Sequence, residues 1–118
     1  MPIWTPPPVA EAAGLLLSGW RAYKVFVPEK YGHPTAHLVG YNETDGEGRV
    51  SSALVKFDLA SRCGVTASGR IYRLTNHEGL GGDAAYVWNK WVGIYQAQVL
   101  ETLSLEALNQ FLLAGGQG

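Results

Sequence analysis

The chain has one cysteine, Cys63. That excludes an intramolecular disulfide and a cysteine-built zinc site, and a cytoplasmic location is the expectation. No apolar run approaches the roughly 18 residues of a membrane-spanning helix. The N-terminus carries no basic region ahead of an apolar core, so no signal peptide is expected either. Charge is sparse: 16% of the 118 residues are Asp, Glu, Lys or Arg, against about a quarter in ordinary domains. The net charge is −1 and the pI is near 6.3. This balance makes nucleic acid an improbable partner, because dedicated binders carry a basic excess. It argues equally against an acidic mimic of nucleic acid.

Apolar residues make up 47% of the chain, and they include four Trp, six Tyr and three Phe. A chain this long is one domain, 1–118, and buries about two thirds of its unfolded surface. Few charges and many aromatics suit a surface partly covered by a second copy or by another protein.

Residues 1–8 hold Pro2, Pro6, Pro7 and Pro8. Proline lacks the amide donor, so this segment reads as an extended arm, with Trp4 as an interface anchor. Val9–Leu17 fits a short helix weakened by Gly14, or a lead into the first strand. Trp20–Val27 and Ala36–Tyr41 read as strands, and the polar turn Asn42–Gly48 returns the chain into Arg49–Asp58. There Ala53, Val55 and Phe57 alternate with Leu54, Lys56 and Asp58, the period of a half-buried strand. Arg62–Thr66 and Arg70–Thr75 complete the set. They are joined by Ala67-Ser68-Gly69, with Gly69 able to adopt the left-handed conformation.

After the glycine-bearing loop Thr75–Gly82, Asp83 is the expected N-cap of a helix over Ala84–Tyr95. Ala84, Val87, Trp88, Trp91 and Tyr95 share one side of that helix. Ala97–Leu100 fits a short strand. Ser104 caps a final helix over Leu105–Leu113, and 114–118 is a tail. The expected fold is α+β: an antiparallel meander of about five strands with one amphipathic helix packed on it and a short C-terminal helix. A small closed barrel with helices is the alternative.

No catalytic set, cofactor or metal site is expected. His33, His37 and His77 are the only histidines, and Pro34 breaks the geometry between the first two. Nothing around Ser61, Thr66 or Ser68 resembles a nucleophile elbow, and Cys63 reads as a small core residue. Two binding readings follow. Arg49, Arg62, Arg70 and Arg73 lie with Lys56 among the meander strands, and a basic face bearing Tyr72 can bind a nucleotide or a phosphorylated metabolite. Arg70, Tyr72 and Arg73 would carry that role, with Gly81 and Gly82 offering backbone amides ahead of a helix. Alternatively, Trp4, Trp88, Trp91 and Tyr95 form the seam of a homodimer or a partner groove. This interaction module, non-enzymatic and homodimeric, is the expected function, and binding of a nucleotide or phosphorylated metabolite is the alternative to it.

Four segments carry a resemblance: Gly32-His33-Pro34, VSSALV at Val50–Val55, VTASGRIYRL at Val65–Leu74 and DAAYVWNKW at Asp83–Trp91. Across residues 32–91 the chain is similar to short uncharacterised proteins of bacterial phages and other mobile genetic elements. The resemblance implies a bacterial, cytoplasmic accessory protein, and it implies no activity.

Overall fold

The computed structural model describes residues 14–28 and 30–115. The proline-rich arm, Trp4 and the last three residues lie outside them. The architecture is α+β. Seven strands form one open sheet, β1 Leu15–Phe26, β2 Thr35–Asn42, β3 Glu47–Val50, β4 Leu54–Asp58, β5 Cys63–Thr66, β6 Ile71–Leu74 and β7 Gln98–Leu103. Helix α1 spans Gly82–Tyr95 and α2 spans Leu105–Leu113.

The five-strand meander needs correcting. The order is β3-β2-β1-β6-β5-β4, with β7 also paired to β1. The antiparallel run β4-β5-β6 is present, and Gly69 closes its second turn at φ +89°. However, β6 runs parallel to β1 at Leu15–Leu17, and β7 runs antiparallel to β1 at Ala22–Phe26. One edge of the long central strand is thus shared by two partners, while β2 takes the other.

One extra strand comes from a local break, and the other is β7, where Ala97–Leu100 was expected as a short strand. The expected strand Arg49–Asp58 is interrupted at Ser51–Ala53. There Ser51 N–H donates to Leu38 O at 2.8 Å, and Leu38 N–H donates to Ser51 Oγ at 2.9 Å. A serine that satisfies a neighbouring backbone group with its side chain ends the regular ladder. Beyond the break, the register shifts between Leu54 and Lys56. Leu54 and Phe57 are therefore buried while Val55 is 49% exposed, and the simple alternation fails.

Of Val9–Leu17, Leu15–Leu17 belong to β1, so the lead into a strand holds there and the helix does not. Leu15 and Leu17 are buried and Leu16 is exposed, a period of two. A bulge follows between Ser18 and Arg21, with Gly19 at φ +53° donating its N–H to His77 O at 2.6 Å. The bulge changes the phase of the strand, so Leu17 and Trp20 enter the same core despite their odd spacing.

The sheet has a core on each face. Leu38 belongs to one core and its neighbour Val39 to the other. Leu108 and Phe111 of α2 close the first over Leu54 and Phe57. Ala84 and Trp88 of α1 close the second over Val25, Val27 and Val39. Burying an indole such as Trp88 contributes roughly 4–6 kcal/mol of transfer free energy.

Asp83 is not the cap of α1. The N-cap is Gly81, which makes no side-chain cap bond, and Asp83 sits in the first turn. The helix approaches β3 so closely that a Cβ on Gly48 would lie 2.5 Å from Asp83 O. Ser104 does cap α2, accepting from Ala107 N–H at 3.1 Å. Among the described residues no helix is long and apolar enough to cross a membrane.

Candidate anion-binding cavity

The break after β3 opens a cavity of about 340 Å³. Four parts of the chain enclose it. The end of β3 and the link after it bring Arg49, Val50, Ser51 and Ser52. The β5–β6 hairpin and β6 bring Ser68, Arg70 and Tyr72. The loop after β1 supplies Lys30 and Tyr31, and α1 supplies Trp91.

At one end, Arg49 Nε donates to Tyr72 Oη at 3.0 Å. Arg70 precedes Tyr72 by two residues, the spacing that sends extended side chains to the same face. Ser51 has no hydroxyl to offer, because its Oγ accepts from Leu38 N–H and donates to Ser52 O. Ser68 Oγ shares a bond with Thr66 Oγ1 at 2.9 Å and keeps further capacity.

The other end is aromatic. Trp91 is stacked on Trp88 at 5.4 Å between centroids and 13° between planes, and Trp88 is stacked on Tyr23 at 4.6 Å and 8°. The His37 ring lies against both Tyr31 and Trp91, at 5.7 Å and 5.0 Å. Lys30 Nζ stands 4.7 Å from the centroid of Tyr95 and 5.6 Å from that of Tyr31. The faces of the two rings attract that cation.

His37 supports the site from below. Its Nδ1 meets Ser51 O at 2.9 Å and its Nε2 meets Thr35 Oγ1 at 2.8 Å. A carbonyl only accepts, so Nδ1 carries the proton and Nε2 accepts from the threonine. Burial pushes its pKa down to about 4; the bond to Ser51 opposes this, and the nearby Lys30 adds to it. The ring is neutral at pH 7, and both of its nitrogens are engaged.

Among the described residues lining the cavity are three cations, Lys30, Arg49 and Arg70, and no carboxylate. Arg49 and Arg70 are forked donors suited to phosphate oxygens. The arrangement can hold an anion.

The expected ligand-binding residues do not all meet. Arg70 and Tyr72 line this cavity, whereas Arg73 does not. Gly81 and Gly82 line a separate cleft of about 670 Å³ with Ser18, Glu43, His77 and Asp83. Gly82 and Trp91 stand nine residues apart on α1, roughly 13 Å along the helix axis. Among the described residues, two carboxylates and no Lys or Arg line the second cleft, which disfavours an anion there. Of the expected interface residues, Trp88 is 7% exposed and packed within its own chain, Trp91 is half-buried, and Tyr95 is exposed. Lys30, Tyr31, Ser52 and Ser68 were not expected at a site, because only the tertiary fold brings them beside Arg70. Arg62 serves the fold instead: it stands over the Trp20 ring at 5.5 Å and donates to Thr75 O and Asn76 Oδ1. No protein-family model, curated protein or solved structure matches the chain.

Proposed function

We propose that the protein binds a small phosphorylated ligand in the cavity between β3, β6 and α1, without transforming it. The observation that carries this reading is the lining: three cations and free hydroxyl capacity, with no carboxylate among the described residues. Such a set repels cations and rewards a compact anion. Binding rather than catalysis fits because His37, the histidine beneath the cavity, has both nitrogens engaged. A binding role also suits the accessory character implied by the resemblance to phage-borne proteins. Thermal denaturation with a panel of phosphorylated metabolites tests it. A ligand at a hundred times its Kd stabilises the native state by about 2.7 kcal/mol, or roughly 10 °C for a domain of this size. A panel with no shift at millimolar concentrations overturns the reading.

A second reading, self-association, is favoured by exposed apolar side chains at the end of α1 and on β7. Ile94 is 70% exposed, and Tyr95, Val99 and Leu100 are also exposed. Clusters of this kind mark interaction surfaces. Sedimentation at micromolar concentration tests it: a dimer supports the reading, and a 12.7 kDa monomer counts against it.

A further inference from the structure

The cavity has two chemically different ends, and that difference narrows the ligand. Resting on the reading above that the cavity holds a phosphate, we propose that the ligand is a nucleoside monophosphate. Its phosphate would lie with Arg49, Arg70 and Ser68, and its base against Tyr31 and Trp91.

Three observations carry this. First, the cationic end and the aromatic end are built by different elements. Arg49 and Tyr72 are joined at 3.0 Å on β3 and β6, whereas Tyr31 and Trp91 flank His37 on the loop after β1 and on α1. A phosphorylated sugar alone would satisfy only the first end. A planar base adds a group that stacks on aromatic rings, and every base has a face that can do so.

Second, the aromatic end is already rigid. Trp91 is backed by the stack Trp88–Tyr23, and His37 is fixed by two hydrogen bonds. Rings ordered before the ligand arrives lose little freedom on binding, so stacking is expressed as affinity.

Third, about 340 Å³ lies at the lower end of the range for small-molecule sites, roughly 300–1,000 Å³. That suits a mononucleotide.

The test is calorimetric titration of the full chain with the four ribonucleoside monophosphates, ribose 5-phosphate, inorganic phosphate and a single-stranded oligonucleotide. Tryptophan fluorescence is followed in parallel. At least one mononucleotide is expected to bind roughly 5- to 150-fold more tightly than ribose 5-phosphate, the contribution of one stacked base, and to quench fluorescence. Tyr31→Ala and Trp91→Leu should each cut that advantage, lowering mononucleotide affinity by a larger factor than ribose 5-phosphate affinity. Tyr31 is on a loop, so its variant keeps the test open if Trp91→Leu fails to fold. Ribose 5-phosphate binding as tightly as every mononucleotide overturns this inference and leaves the phosphate reading standing. An oligonucleotide binding more tightly than any mononucleotide overturns it in favour of a nucleic-acid surface. Failure of every phosphorylated compound to bind overturns both.

Discussion

Arg49 and Tyr72 touch across the sheet: Arg49 Nε donates to Tyr72 Oη at 3.0 Å, although β2 and β1 lie between their strands. Tyr72 is 1% exposed and belongs to the core closed by α2, and it also lines the cavity. A core residue thereby sets the position of a cation. Tyr72→Phe keeps the ring and removes the acceptor. It should cost about 1–2 kcal/mol in urea denaturation, where the ranges for neutral and charge-assisted hydrogen bonds meet. It should also weaken phosphate binding several-fold, because Arg49 loses its anchor.

Arg70 and Arg73 separate two meanings of a basic strand. Arg70 is exposed and lines the cavity, while Arg73 does not line it. Arg70→Ala should leave the melting temperature within about 2 °C of the parent, as exposed substitutions usually do. It should reduce affinity for a phosphorylated ligand about tenfold or more. Arg73→Ala should leave affinity unchanged. Parallel titrations of the two variants decide the matter.

His37 gives the fold a pH dependence of defined sign. Its pKa falls from the ordinary 6.5 to about 4 in the folded chain, chiefly through burial. Between those values the unfolded state binds more protons than the folded one, so stability is full above about pH 6.5. It falls as the pH drops towards 4, by about 3 kcal/mol in all. The urea midpoint should therefore fall between pH 7 and pH 5. In His37→Gln that part of the pH dependence should vanish, even though the variant is less stable throughout.

Trp88 joins β1 to α1 through its stack on Tyr23. Trp88→Ala should cost about 3–5 kcal/mol by cavity formation, and it should release Trp91 from behind. Circular dichroism in the near ultraviolet would then lose the signal of coupled indoles before helix content changes. A variant that retains both the signal and the stability would show that the stack contributes nothing.

Much of the secondary structure was legible because its signals are local. Gly69 closes the expected hairpin, Ser104 caps the expected helix, and Trp88 lies on the expected buried side of α1. What escaped depended on partners distant in sequence. The split of Arg49–Asp58 follows from Ser51 bonding to Leu38, and the bulge at Gly19 follows from its bond to His77 O. Neither shows in hydrophobic periodicity. The parallel pairing of β6 with β1 joins residues more than fifty positions apart, so a local reading continues the antiparallel meander instead.

The site was half legible for the same reason. Arg70 and Tyr72 share a face by strand alternation, which the sequence carries. Arg73, on the opposite parity, is left out of the cavity. Lys30 and Tyr31 come from a loop whose composition signals only a turn, and α1 brings Trp91 to them. The glycines before α1 offer backbone amides, but Asp83 beside them already argues against an anion in the sequence, and the cleft they line adds Glu43.

The most direct measurement compares the parent with the double variant Lys30→Ala/Arg70→Ala in calorimetric titration with phosphorylated ligands. Both side chains are exposed, so the fold is left intact. The account predicts saturable one-to-one binding to the parent and a loss of about tenfold or more in the variant. Equal affinity in the two proteins, or heat from neither, would contradict it.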